Sequence, residues 1–322
     1  MRPGLRELQL VATGAVAVIL TACSAPASEA ALVHSSGPSM TNSLAAPSSS
    51  PAAASGGGGS GADEQQKARR LETPKESRAD GVRGRCPRSM VEIEGRFCID
   101  RYEASLVDVL PNGEERAHSP FTAVEDPSHV RAVSSPNVFP QGYISAVEAQ
   151  RACTGSGKRL CRVQEWSKAC RGPETKSWGY GDQREPGRCN DQGKNPVLSL
   201  YGRNHWTWKT MNQPDLNQQE NTLSRTGEHE GCTNGYGVYD MVGNLHEWVA
   251  DPSGTFYGGY YQDVASVGHG AGCGYLTTAH EARYHDYSTG FRCCADVAGA
   301  PQEAGPAAPA PGSRKKAPRG KR

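Results

Sequence analysis

Regular patterns of apolar and polar residues are confined to a few short segments in the central part of the chain. RFCIDRYEAS alternates well enough to predict a strand, with Phe97, Ile99 and Tyr102 as its apolar positions. SAVEAQRAC predicts a short helix, because Ser145 and Glu148 have the spacing of a capping box. RVQEWSKACRG predicts a second helix, which ends at Gly-Pro.

The segments after the second predicted helix are rich in turn-forming residues. They include YGDQREPGRCND, NGYG, DPSG and GHGAGCG, and the whole chain contains 38 glycines. So much glycine argues against a doubly wound α/β fold. The pattern predicts a loop-rich, disulfide-bridged α+β domain at residues 85–298.

The N-terminal segment carries Arg2 and Arg6 ahead of the apolar run LQLVATGAVAVIL. This run is too short for an ordinary transmembrane helix and predicts a signal peptide at residues 1–22. It ends in LTAC, which resembles a bacterial lipobox, so we expect lipid on Cys23 and attachment to a membrane. Ser24 follows that cysteine instead of Asp, which favours the outer membrane under the enteric sorting rule. The alternative is plain secretion, with cleavage among the small residues nearby.

The segments on either side of the domain contain too few apolar residues for us to expect them to fold. Residues 23–84 are rich in Ala, Ser, Gly and Pro, which predicts a disordered tether of roughly 60 residues with a coil span of about 40–45 Å. Residues 299–322 predict a disordered tail with a basic end. The net charge of +1 argues against a nucleic-acid partner.

Cysteines other than Cys23 number ten of the 11 in the chain, all within the predicted domain. In an exported protein such cysteines form lasting disulfides, and ten allow five bridges in many pairings. Cys293 and Cys294 are adjacent. On a strand they point to opposite faces and reach different partners, although a reactive pair or a metal clip remains the alternative.

Four segments resemble the formylglycine-generating enzyme (sulfatase-modifying factor) family. They are FCIDRYEAS, SAVEAQRACTGSGKRLCRVQEWSKACRG, NGYGVYDMVGNLHEWVAD and FYGGYY with TGFRCCAD. The resemblance implies a C-type-lectin-like α+β fold with little regular secondary structure.

The same resemblance implies oxidation of a substrate cysteine with copper held by two cysteines after a GGS turn. The corresponding stretch here, GGYYQDVASVGHG, contains no cysteine. Tyr260 replaces the serine, and Gln262 or Asp263 stands at the first catalytic cysteine. Copper is therefore not expected.

Family bridges match the pairs Cys153–Cys293 and Cys170–Cys273 in this sequence. Cys86 and Cys98 are spaced for a local bridge. Cys161 and Cys294 stand where the family has Pro and Ala, so we expect them to pair, which leaves Cys189–Cys232.

Calcium is also implied by the resemblance, since oxygen-rich turns suit this ion. One expected site uses the Asp240 carboxylate with backbone oxygens near Met241, Gly243 and Leu245. A second begins at Asn190 and Asp191. The alternative is that Asp240 and Asn244 only cap turns.

An iron site is the other chemical hypothesis. His280, His285 and Asp286 have the residue types of a two-histidine, one-carboxylate centre, and some relatives of this domain belong to iron-dependent sulfoxide synthases. The alternative is a hydrogen-bonded polar loop.

We therefore hypothesise a non-catalytic binding or scaffolding module at the cell envelope, for an extracytoplasmic peptide, protein or glycan. Trp248, Tyr260, Tyr261 and Tyr284 are the expected groove residues. The alternatives are an oxygen-dependent, metal-dependent oxidoreductase with a relocated metal site, of the formylglycine-generating or sulfoxide-synthase type, and a purely structural envelope protein.

Overall fold

The computed structural model describes residues 85–299. The expected signal peptide, Cys23, the tether up to residue 84 and the tail from residue 300 lie outside these residues. Within the described part, no helix combines the length and the apolar character needed to cross a bilayer.

Helices are short and begin at capping residues. They are α1 (Ala146–Gly155), α2 (Val163–Arg171), α3 (Pro196–Tyr201) and α4 (Trp208–Met211), with 3-10 turns at Pro127–His129, Leu216–Gln218 and Gly272–Gly274. The capping box before α1 is present, because Ser145 Oγ accepts from Glu148 N at 3.3 Å and Glu148 Oε2 accepts from Ser145 N at 2.9 Å. Both predicted helices are confirmed.

Strands are also short. They are β1 (Met90–Ile93), β2 (Phe97–Asp100), β3 (Ala104–Val109), β4 (Glu115–Ala117), β5 (Val130–Ser134), β6 (Arg159–Leu160), β7 (His246–Trp248), β8 (Phe256–Tyr257), β9 (Ala265–Ser266), β10 (Gly270–Ala271), β11 (Leu276–Thr277), β12 (Thr289–Phe291) and β13 (Cys293–Asp296). They form sheets of order β1-β2-β13-β6, β11-β8-β7-β12, β4-β3-β5 and β10-β9. The described domain is therefore mixed α+β with little regular structure.

The predicted strand at RFCIDRYEAS is two strands in the structure. β2 ends at Asp100 and β3 begins at Ala104, in a different sheet. The chain changes sheets in between, so residues that read as one alternating segment serve two sheets.

Five disulfides hold the loops together: Cys86–Cys98, Cys153–Cys293, Cys161–Cys294, Cys170–Cys273 and Cys189–Cys232. These are the pairs expected above. Cys293 and Cys294 extend into two separate hydrophobic clusters, one with Cys153 and the other with Cys161. This number of disulfides indicates an extracytoplasmic protein.

Candidate functional site

The loop after β8 contains the stretch that the sequence resemblance matches to the family's copper-binding segment. Gly258 and Gly259 have φ values of 87° and 72°, and a Cβ on Gly259 would lie 2.3 Å from the Asp263 carbonyl oxygen. Tyr260 N donates to Asp263 O at 2.9 Å, and Asp263 N donates to Tyr260 O at 3.0 Å. Only glycine therefore fits the start of this closed turn.

The polar side chains of this turn form hydrogen bonds with one another and with neighbouring residues. Tyr260 donates to Gln262 at 3.1 Å, and Asp263 Oδ2 accepts from Tyr275 at 2.9 Å and from Ser266 at 3.0 Å. Every cysteine among residues 85–299 lies in a disulfide. A site of two thiolates for copper therefore does not fit these residues.

The four aromatic residues expected to line a groove divide into two groups. Trp248 and Tyr261 are fully buried, and they donate to Ile144 O at 2.8 Å and to Asn217 Oδ1 at 3.0 Å. They are core residues, which corrects the expectation for this pair. Tyr260 and Tyr284 remain partly exposed.

A cluster of aromatic and imidazole rings lies beside this turn. The ring cluster consists of His246, Phe256, Tyr260, Tyr275, His280 and Tyr284. His246 lies at its centre, 4.5 Å from Phe256, 4.9 Å from Tyr260 and 5.5 Å from Tyr275 between ring centroids. β7 supplies His246, while β8 supplies Phe256 and the following loops supply the other rings.

His246 is a buried imidazole with incomplete hydrogen bonding. Its Nδ1 has no hydrogen-bond partner in the structure, and the residue is 5% exposed. Burial lowers the pKa of His246 to about 3, with smaller contributions from His269 and His280. The ring is therefore neutral at neutral pH.

The expected iron ligands each have other partners. His280 stacks on Tyr284 with 3.7 Å between ring centroids, and His285 Nδ1 is 2.8 Å from Asn212 Oδ1. Asp286 accepts from Tyr284 at 2.5 Å through Oδ2, and from the backbone N at 2.8 Å and hydroxyl at 2.7 Å of Ser288 through Oδ1. The described part of the chain holds no group of three or more His, Cys, Asp or Glu side chains suited to a metal ion. These contacts match the hydrogen-bonded polar loop.

The Asp240 side chain lies in a buried cluster that contains more carboxyl groups than cations. Glu103, Asp240 and Glu247 are buried with one guanidinium, that of Arg292. Burial raises the pKa of Asp240 to about 7, and burial together with the Asp240 charge raises the pKa of Glu103 well above its usual range. Asp240 Oδ2 already accepts from Gly227 N at 2.7 Å, and a cation beside Asp240 would offset part of the surplus of buried carboxyl groups.

The turn after Asp240 carries the residues expected to supply backbone oxygens to calcium. Asp240, Gly243 and Asn244 have φ values of 57°, 82° and 55°, so the chain turns tightly between Asp240 and Leu245. Asn244 does more than cap this turn, because its amide donates to Glu103 at 2.6 Å and accepts from Asn190 at 2.9 Å. Met241 and Leu245 are buried in the same turn.

Asp191 does not fit the second expected calcium site. Its carboxylate accepts from Arg184 Nε at 2.7 Å through Oδ2 and from Gly187 N at 2.7 Å through Oδ1. The Arg184 guanidinium therefore already supplies the positive charge beside the Asp191 carboxylate. Asn190 contributes its amide to a buried network instead, donating to Thr222 O at 2.8 Å.

A polar cavity of about 520 Å³ lies next to this region. Its walls come from residues 187–193 and 219–229 together with Phe139. Arg225 covers one wall, with its guanidinium carbon 4.5 Å from the Phe139 ring centroid. Asn190 and Asp191 lie in the wall of the cavity.

Sequence reasoning missed His246 and Glu103 as parts of these sites. The available signal for His246 was a histidine inside the family-like segment NGYGVYDMVGNLHEWVAD. Glu103 gave no signal, because its burial depends on β3 packing against a distant turn.

Known proteins resemble part of this chain in sequence. The formylglycine-generating enzyme of Streptomyces coelicolor is 28% identical over 171 residues, which are 50% of this chain and 48% of that protein. The formylglycine-generating enzyme of Mus musculus is 31% identical over 111 residues, which are 34% of this chain and 26% of that protein. The chain thus spans less than half of the length of these relatives.

Among solved structures, the Major Tropism Determinant U1 Variant is similar with a TM-score of 0.38 and 15% identity, over 66% of this chain and 54% of that chain. Residues 58–297 match the family described as the sulfatase-modifying factor enzyme 1-like domain. Because this match covers most of the sequence, the chain belongs to the sulfatase-modifying factor enzyme 1-like family.

Proposed function

We propose that this protein is a cell-envelope binding module, and that its family domain no longer carries out copper-dependent oxidation. The observation that carries the proposal is the turn at Tyr260–Asp263. Hydrogen-bonded polar side chains occupy this turn in place of two thiolates. Each cysteine of residues 85–299 is in a disulfide. A domain with this arrangement retains a shaped surface without the soft ligands that Cu(I) needs.

The proposed binding surface is the exposed side of the ring cluster. Tyr260, His280 and Tyr284 are partly exposed there, and the hydroxyl of Tyr284 is fixed by Asp286 at 2.5 Å. Fixed rings with polar edges bind extended peptides and sugar rings at low cost in conformational entropy. The proposed ligand is therefore an extracytoplasmic peptide or glycan.

Attachment to the envelope is part of the same proposal. The five disulfides support an exported domain, and the LTAC sequence supports lipid on Cys23, most simply in an outer membrane. The resemblance to the family supports a C-type-lectin-like arrangement of the domain. Calcium at Asp240, with backbone oxygens of Met241, Gly243 and Leu245, has a structural role in this proposal.

The test compares ligand capture by the full chain and by two tyrosine variants on peptide and glycan arrays. Tyr284→Ala removes a ring from the proposed surface. Tyr236→Ala is the matched control, because the hydroxyl of Tyr236 also donates to a carboxylate, that of Glu94 at 2.7 Å, outside the ring cluster. We expect ligands that the parent and the control capture and that Tyr284→Ala loses.

A second test measures whether the protein has the enzymatic activity that the proposal denies. The full chain is incubated with Cu(I), oxygen and a cysteine-containing sulfatase peptide, and the peptide is examined for formylglycine. Stoichiometric copper together with formylglycine formation would contradict the proposal and favour an oxidoreductase with a relocated metal site.

A further inference from the structure

Exposed apolar side chains are concentrated in one short stretch of the described chain. Six large apolar residues of residues 85–299 are exposed, and Leu198, Leu200, Trp206 and Trp208 account for four of them, with exposures of 43%, 39%, 50% and 50%. We call these four residues the Trp patch. Val267 and Leu276 are the other two and lie elsewhere in the sequence.

The Trp patch is built from α3, α4 and the loop between them. Asn195 caps α3 by accepting from Leu198 N at 2.8 Å, and Val197 and Tyr201 face the core. Because these two residues are four apart, they share one face of the helix, and Leu198 and Leu200 are left on the solvent side. The apolar face is thus a consequence of how α3 is anchored.

Trp208 is held in place although it is half exposed. Its ring centroid lies 5.7 Å from that of Tyr284 and 4.6 Å from that of His285. Thr207 caps α4, accepting from Thr210 N at 3.2 Å. The exposed indole is therefore a positioned feature of the surface.

The stretch that contains the Trp patch carries only positive charge. Residues 192–214 include Lys194, Arg203 and Lys209 and no Asp or Glu, and His205 lies among them. Arg203 and Lys209 are exposed. Asp215, the next residue after this stretch, is exposed and accepts from the Tyr201 hydroxyl of α3 at 3.1 Å, so the basic residues of the stretch outnumber the adjacent acidic one.

We propose that the Trp patch docks the domain on an anionic lipid membrane. Indole rings favour the boundary between headgroups and acyl chains, and leucines enter the acyl region beside them. Lysine and arginine next to such residues are attracted to anionic headgroups. A bilayer with anionic headgroups accommodates the indoles, the leucines and the cations together, whereas a glycan has no apolar interior for the leucines.

This inference is independent of the ligand surface proposed above. It assigns a role to residues 196–211, which lie outside the ring cluster. Docking through Trp208, which contacts Tyr284, would fix the orientation of the ring cluster relative to the bilayer.

The test uses the full chain carrying Cys23→Ser, so that no acyl chain is attached. Vesicles of phosphatidylcholine alone are compared with vesicles of equal parts phosphatidylcholine and phosphatidylglycerol, both containing brominated acyl chains. Trp166, Trp178 and Trp248 are 0%, 8% and 0% exposed, so quenching by bromine reports on Trp206 and Trp208. Binding through the N-terminal segment alone leaves that emission unchanged.

We expect quenching with a shift of emission to shorter wavelength on the anionic vesicles only. The variant Arg203→Gln/Lys209→Gln keeps both indoles and should bind roughly 30-fold more weakly, from the usual attraction of two basic residues to an anionic surface. The matched control is Arg88→Gln/Arg96→Gln, which removes two exposed cations elsewhere and should bind like the parent.

Three outcomes would overturn the proposal. The first is unchanged tryptophan emission with both kinds of vesicle, and the second is equal quenching with neutral and anionic vesicles. The third is an equal loss of binding in Arg203→Gln/Lys209→Gln and in its control, Arg88→Gln/Arg96→Gln. A shift of emission with soluble oligosaccharides but not with vesicles would likewise contradict it and identify the patch as a glycan site.

Discussion

Arg292 and Glu247 form a bidentate ion pair in the centre of the domain. Arg292 Nε donates to Glu247 Oε2 at 2.7 Å and Nη2 donates to Oε1 at 2.6 Å, with side chains 0% and 1% exposed. Trp166 Nε1 also donates to Glu247 Oε2, at 2.6 Å. The pair joins β7 to the residue between β12 and β13, so it fixes the sheet that supports the ring cluster.

Glu247→Gln should strongly destabilise the fold, because it leaves the Arg292 guanidinium buried without its main counter-charge. We expect a loss of about 3–5 kcal/mol in the free energy of unfolding, measured by urea denaturation with the disulfides intact. Glu281→Gln, at an exposed position, is the control and should change stability little. An unchanged midpoint for Glu247→Gln would show that Glu103 or Asp240 neutralises Arg292 instead.

Removing the Cys161–Cys294 bridge should cost less than its sequence separation of 133 suggests. Cys153–Cys293 already joins the same two segments, so the additional loop that the second bridge closes is only about nine residues long. The chain-entropy relation then gives about 3 kcal/mol, compared with about 5 kcal/mol for an isolated loop of the full length. The variant is Cys161→Ala/Cys294→Ala, measured by urea denaturation; a loss near 5 kcal/mol would mean that the bridges act independently.

His246 should make the fold sensitive to acid. Its pKa in the folded protein is about 3, below the value of the unfolded chain, so between about pH 6.5 and pH 3 the unfolded state binds the extra proton. Stability should therefore fall as the pH falls, by about 1.4 kcal/mol per pH unit from this group alone.

The variant His246→Phe tests this prediction. It replaces an imidazole that has an unpartnered Nδ1 by an apolar ring among Phe256, Tyr260 and Tyr275, so it should stabilise the protein and flatten the acid side of its stability profile. His129→Gln, at an exposed histidine, should leave the profile unchanged. A slope in His246→Phe equal to that of the parent would assign the acid sensitivity to other groups.

Calcium should raise the melting temperature through Asp240. At a calcium concentration of 100 times Kd, the expected gain is about 3 kcal/mol, or about 5 °C or more in Tm, and chelation should reverse it. Asp240→Asn should abolish the effect. Asp191→Asn should retain it, because Arg184 already neutralises Asp191. Loss of the effect in Asp191→Asn alone would place the ion at the second site.

Several features of this protein follow from the sequence by itself. Local patterns determine α1 and α2, since their caps and stops lie within a few residues of each helix. The stretch between residues 258 and 270 contains no cysteine, so it lacks the thiolate pair that the family resemblance leads one to expect there. On a strand, adjacent Cys293 and Cys294 reach separate partners, because neighbouring side chains of a strand point apart.

Other features depend on contacts between residues far apart in the chain, and only the tertiary structure decided them. Tyr261 and Trp248 are core residues while Tyr260 and Tyr284 are partly exposed, and nothing in the sequence distinguishes the two pairs. The carboxylate of Asp191 is occupied by Arg184, whereas that of Asp240 lies among buried carboxyl groups. Burial and electrostatic balance are properties of the whole packed domain, because each is set by neighbours that residue order does not reveal.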